Sequence, residues 1–224
     1  MSDVLISFWK PVSIFESKFN AFAAWITSGN FCHSEIVIHV DPEILKTSIT
    51  KAMTQNDHGL NSCIEECFFS DAFARQQLSS SEPIYVSFAA LWGMKLKARV
   101  LRSTATNAYE HTPLEKHSDV EYIRVKGIED IQGVSDFCVM QMGKEYARFS
   151  ALMSATKTEC TWFHNPSKSK FCSELCVCAL QQDNILEDLK PATITPNSLY
   201  MHILEWNKQK EKMENDDITS VETC

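Results

Sequence analysis

Two stretches of the chain hold residues whose types and spacing could do nucleophilic chemistry. In Lys170-Phe171-Cys172-Ser173-Glu174-Leu175-Cys176-Val177-Cys178-Ala179-Leu180, a polar loop over 165–170 turns at once into an almost wholly apolar segment. The pattern predicts a buried helix with Cys172 in its first turn. There the unpaired backbone N–H groups and the positive end of the helix dipole stabilise a thiolate. Such a cysteine needs a base, and the base expected is His33, in Phe31-Cys32-His33-Ser34-Glu35-Ile36-Val37-Ile38-His39-Val40. Residues 34–40 are strongly β-forming, with Ile36, Ile38 and Val40 on one face and His33, Glu35, Val37 and His39 on the other. His33 thus stands at the mouth of a strand.

The rest of the chain must bring those two stretches together. Residues 4–9 alternate as a strand that Lys10-Pro11 ends. Ser13-Ile14-Phe15-Glu16 reads as a capping box opening an amphipathic helix over 14–27, stopped by Gly29. A short helix at 43–53 and a loop through Asp57-His58-Gly59 lead to an expected second strand over 62–68, with Glu65 and Glu66 inside an apolar run. Further strands are expected over 83–88, 94–101 and 120–125, with a polar loop at 103–118. A helix over 129–142 ends at Gly143, and one or two helical turns follow within 144–153. Thr195 caps a helix over 196–207 that begins with Pro196. From Lys208 onward the chain is nearly all polar, so a domain over 1–207 with a disordered tail over 208–224 is expected.

A chain of 224 residues with 44% hydrophobic residues can bury one domain of the α+β class. Its net charge of −8 and lack of a basic block argue against a nucleic-acid backbone or an anionic membrane as main partner. Neither a leader peptide nor a transmembrane stretch is legible, so the expected location is the cytoplasm, or the virion if the protein is viral. Nine cysteines, an odd number, fall singly or as Cys172/Cys176/Cys178 on one helix, which reads as free thiols. Cys32/His33 and Cys172/Cys176/Cys178 lack the paired spacing of a zinc site, and neither a metal nor another cofactor is expected. Tyr146 and the stripe Phe15/Phe19/Phe22 read as core.

Placed in this order, the elements resemble the circularly permuted branch of the NlpC-type papain-fold hydrolases. That group includes YiiX-like bacterial proteins, poxviral relatives and, more distantly, lecithin:retinol acyltransferase-like enzymes. Gly29-Asn30-Phe31-Cys32-His33-Ser34-Glu35-Ile36 is similar to the strand start that holds the family's catalytic histidine, and Cys63-Ile64-Glu65-Glu66-Cys67 to the next strand, whose glutamate completes its triad. Met142-Gly143-Lys144-Glu145-Tyr146, Phe171-Cys172-Ser173-Glu174-Leu175 and Thr195-Pro196-Asn197-Ser198-Leu199-Tyr200 are similar to its later motifs. His33 is followed by Ser34-Glu35 where relatives usually carry Val-Gly, and the stretch 42–60 is longer than in a minimal member.

The resemblance implies a circularly permuted papain-like fold, a central antiparallel sheet with the nucleophile helix packed against it. It further implies a thiol hydrolase or acyltransferase acting on an amide, ester or thioester of an intracellular peptide or a lipid acyl group. Cys172 would attack, His33 would move the proton and Glu65 would orient His33, with Glu66, Glu35 and His39 as other candidates for that last role. The Cys172 backbone N–H is the expected oxyanion donor. The competing expectation is a catalytically silent papain-fold domain that serves as a structural or interaction component among assembly partners, for instance in the particle of a large DNA virus.

Overall fold

The computed structural model describes residues 2–11, 29–91, 94–101, 119–154 and 168–221. Strands β1 (Asp3–Trp9), β2 (His33–Val40), β3 (Ile84–Ala89), β4 (Lys97–Val100) and β5 (Val120–Arg124) form one antiparallel sheet in the order β4-β3-β2-β1-β5. β2 therefore lies at the centre. Its register sets Trp9 opposite His33, Ser7 opposite Glu35 and Val37 opposite Ser87. Because side chains alternate along a strand, His33, Glu35 and Val37 share a face with Ser7, Ser87 and Arg99. The opposite face, with Val4, Ile6, Phe8, Ile36, Ile38, Val86 and Phe88, is fully buried in the core.

The helices are α1 (Pro42–Met53), α2 (His58–Ile64), α3 (Ala72–Leu78), α4 (Ile131–Gln141), α5 (Arg148–Ser154), α6 (Cys172–Leu180) and α7 (Pro196–Val221). Four of them begin at an aspartate whose carboxylate accepts an orphan N–H of the first turn: Asp41 from Glu43, Asp57 from Gly59 and Leu60, Asp71 from Ala74 and Asp130 from Gly133. α6 packs on β2 and buries Leu175, Cys176, Val177 and Ala179. Among the described residues no helix is long and apolar enough to cross a membrane.

The expected strand over 62–68 is instead helical. α2 runs into a single π turn, Glu65–Phe69. The reason is legible in hindsight, since Leu60, Cys63, Ile64 and Phe68 recur at helical spacing and all four are buried. Glu65 and Glu66 fall on the outer side and are exposed.

Residues 144–153 also divide differently. Glu145–Tyr146 is a short strand, β6, parallel to β7 (Ser169–Lys170), and α5 follows it. The tail differs too, because α7 continues through Val221 rather than ending near 207. Its outer turns are held by Lys126 to Glu211 at 3.1 Å and by Lys210 over the Trp206 ring. The expected helix at 14–27, with Phe15, Phe19 and Phe22, and the expected loop at 103–118 lie outside the described residues.

One contact between distant segments sets the approach to β2. The Asn197 side chain accepts from the Phe31 N–H and donates to the Phe31 carbonyl, both at 2.9 Å. Asn197 lies so close to Gly29 that a Cβ there would stand 2.1 Å from its side chain, so only glycine fits. Phe31 packs on Phe8 and Tyr200, with ring centroids 5.3 Å and 4.8 Å away. The turn before His33 is thereby pinned from both sides.

Candidate active site

Cys172 is the first residue of α6, only 4% exposed, and its ring partner comes from the start of β2. The Cys172 thiol and the His33 ring share a hydrogen bond, and the backbone N–H groups of Ser34 and Ser173 point at the sulfur. β2 supplies both the imidazole and one of those N–H groups, so the strand end and the helix start form a single nest around one atom. Cys176, one turn further along α6, bonds the Ser34 hydroxyl at 3.8 Å and fixes how the helix sits on the strand.

The carboxylate that meets His33 is Glu35. Its Oε1 lies 3.2 Å from His33 Nε2, which leaves Nδ1 as the nitrogen for the thiol. Ser87 donates to Glu35 Oε2 at 2.5 Å, and Arg99 stands 3.5 Å from the same oxygen. Glu65, the residue the resemblance implied, is not brought to the site: it sits exposed on the π turn. Glu66 pairs with Lys97 at 2.5 Å. His39 stacks on Tyr85 beside Asp3, about 20 Å further along the strand. The signal for Glu35 was present in the sequence, because residues two apart on a strand share a face.

Electrostatics follow from this packing. Burial pushes the Cys172 thiol up, but the hydrogen bond and charge of His33, with the Ser34 and Ser173 N–H groups, bring it below the ordinary thiol value. Burial disfavours a charged His33, yet the hydrogen bonds and negative charges of Cys172 and Glu35 outweigh it and raise the ring to about 10. Glu35 is 5% exposed, and burial alone would raise its carboxyl; His33, Ser87 and Arg99 hold it below the usual carboxylate range. These contacts all favour the thiolate–imidazolium form of the pair, backed by an ionised carboxylate. Cys32, next to His33, moves the other way, pushed up to about 11 by burial and by the Cys172 charge.

A further group reaches the sulfur. The β6–β7 pairing sets Tyr146 opposite Lys170, and the Tyr146 hydroxyl hydrogen-bonds Cys172. Burial and the Cys172 charge raise the Tyr146 phenol well above its ordinary value, so it keeps its proton. Tyr146 packs against the core, as its apolar ring leads one to expect, while the two-residue pairing that aims its hydroxyl at Cys172 leaves no mark in the sequence pattern. Below it, Glu174 accepts from the Phe171 N–H at 3.3 Å and lies 3.5 Å from the buried Lys170 ammonium. That carboxylate satisfies an orphan N–H just ahead of the helix.

The seven cysteines among the described residues are free thiols. Among the described residues no three His, Cys, Asp or Glu side chains are grouped so as to hold a metal ion. No family model matches the chain, and no significant match is found among curated proteins or solved structures.

Proposed function

We propose that the protein is a thiol hydrolase or acyltransferase that works on an amide, ester or thioester through Cys172, His33 and Glu35, on a circularly permuted papain-like fold. The observation that supports this is the chain of contacts from Cys172 through His33 to Glu35 at the start of a buried helix. A nucleophile, a base and a group that orients the base are the parts covalent acyl transfer needs, and they are defined by geometry rather than chain order.

In this mechanism the Cys172 thiolate attacks the carbonyl carbon, forming a C–S bond as the carbonyl π electrons move to oxygen. The Cys172 backbone N–H, at the start of α6, and the Tyr146 hydroxyl, which reaches the sulfur, serve as oxyanion donors in this reading, and one such donor is typically worth about 10²–10³ in rate. Collapse breaks the bond to the leaving group, which takes the proton from His33. Neutral His33 then removes a proton from water, or from an acceptor alcohol or amine, as that nucleophile attacks the thioester. Glu35 keeps the ring oriented throughout and favours its charged form.

The substrate in this reading is a peptide or a lipid acyl group. Burial of Cys172 also suits a catalytically silent domain kept as a structural or interaction component, and alkylation separates the two readings. At about pH 5.5, iodoacetamide is expected to modify Cys172 faster than the other cysteines, because only a thiolate reacts and the His33 contact and backbone N–H groups lower the Cys172 thiol. His33→Ala should abolish that selectivity. Cys172 alkylation no faster than that of the other thiols overturns the proposal.

A further inference from the structure

A second sulfur lies in an activating setting away from Cys172. Cys67, on the π turn, is half-buried at the wall of a cavity of about 320 Å³. The titratable groups facing that cavity are Glu66 and Asp71 from the helical side, Lys97 and Arg99 from β4, and Glu35 from β2, with the Ser87 hydroxyl beside Glu35. Cys63, one turn earlier on α2, sits beside the Cys67 sulfur and donates its own proton to the Leu96 carbonyl, and the Ala98 backbone N–H points at Cys67. The Lys97 ammonium adds positive charge, partly offset by Glu66, to which it is bonded.

The two thiols differ sharply. The contact with Cys63, with the Ala98 N–H and Lys97, outweighs burial and lowers Cys67 below the ordinary thiol value. Cys63, 6% exposed and also 3.4 Å from the Leu96 carbonyl, is pushed far above the ordinary thiol value by the Cys67 charge and by burial. Cys67 is thus the member that ionises, and Cys63 keeps its proton. Cys32 and Cys178, the other half-buried thiols described, both have raised pKa values.

We propose that Cys67 is a site of covalent thiol modification by disulfide exchange, whose attached group occupies the cavity that ends on Glu35. The Cys67 thiolate attacks one sulfur of a small-molecule disulfide, a new S–S bond forms as the old one breaks, and the departing half leaves as a thiolate that takes a proton from water. One disulfide is consumed and one is made, so the electrons balance without another oxidant. Once Cys67 is modified its charge is gone, but burial still raises the Cys63 thiol and keeps it a poor nucleophile, so the product persists as a mixed disulfide. Glu35 bounds this cavity and also serves the acyl-transfer reading, but the test reads Cys67 directly and succeeds or fails whatever Cys172 does.

The test treats the full-length protein with 2-hydroxyethyl disulfide at about pH 7.5 and follows each cysteine by peptide mapping. Cys67 is expected to react about 10-fold or more faster than Cys32 and Cys178, as its larger thiolate fraction requires. Lys97→Met and Cys63→Ala should each slow Cys67 while leaving Cys32 and Cys178 unchanged. A Cys67 rate equal to those of Cys32 and Cys178, or a Cys63–Cys67 disulfide in place of the mixed one, overturns the proposal.

Discussion

At the scale of single residues, the site turns on which carboxylate serves His33. Glu35→Gln keeps the shape of the side chain but removes the charge that favours imidazolium. Hydrolysis of p-nitrophenyl acetate should fall by about 10² or more, the usual contribution of acid–base groups. Alkylation of Cys172 at acid pH should slow in parallel. Glu65→Gln, at an exposed position, should leave both readouts within about 2-fold, as surface substitutions generally do. Equal losses from the two variants would undo the assignment of Glu35. Ser87 and Arg99 act through Glu35, since both favour its ionised form. Ser87→Ala therefore moves the acid limb of the pH–rate profile to higher pH. Arg99→Met moves it less, because Arg99 is 61% exposed and water screens its charge.

At the scale of elements, Asn197 makes the clearest long-range tie. Asn197→Ala leaves the N–H and carbonyl of Phe31 without this partner and opens space beside Gly29. Urea unfolding should show a loss of about 1–3 kcal/mol, the cost of orphaning buried polar groups. Cys172 should lose part of its acid-pH reactivity as the turn before His33 loosens; a stability loss without that change would restrict Asn197 to packing. The same elements mark what was legible beforehand. β1, β2 and β3 follow from alternation, and α6 from the polar-to-apolar step at Cys172. The helix α2 did not, because a run of apolar residues at 63–69 fits a buried strand as well as a helix unless the cap at Asp57 is weighed. Glu65 was drawn toward the site by that misreading, whereas Glu35 needed only the strand that was already expected. Tyr146 reaches Cys172 through a two-residue parallel pairing, a tertiary contact that no local period encodes.

At the scale of the whole molecule, the buried thiolate–imidazolium pair links stability to pH. Unfolded, the cysteine titrates near 9.0 and the histidine near 6.5; folded, the first is lowered and the second is raised to about 10. Between the lowered Cys172 value and about 10, the folded pair holds one proton. The unfolded pair holds two below 6.5, one between 6.5 and 9.0, and none above 9.0. Stability from the pair therefore rises with pH up to about 6.5, is level to about 9, and falls as pH climbs through His33's folded value, since stability increases with pH only where the unfolded state binds more protons. Glu35, whose carboxyl is lowered, adds a loss below its unfolded value of 4.5. Thermal melts of the wild type, compared across pH with Cys172→Ala/His33→Ala, should show a difference that forms a plateau between these limits and declines on both sides. A difference that slopes steadily from pH 7 to 9 instead would mean that the folded pair does not hold one proton across this range, and would overturn the assignment. A neutral thiol–imidazole pair holds the same single proton and gives the same plateau, so an intact plateau with slow Cys172 alkylation at acid pH would mean that Cys172 loses its proton to His33 only as substrate arrives.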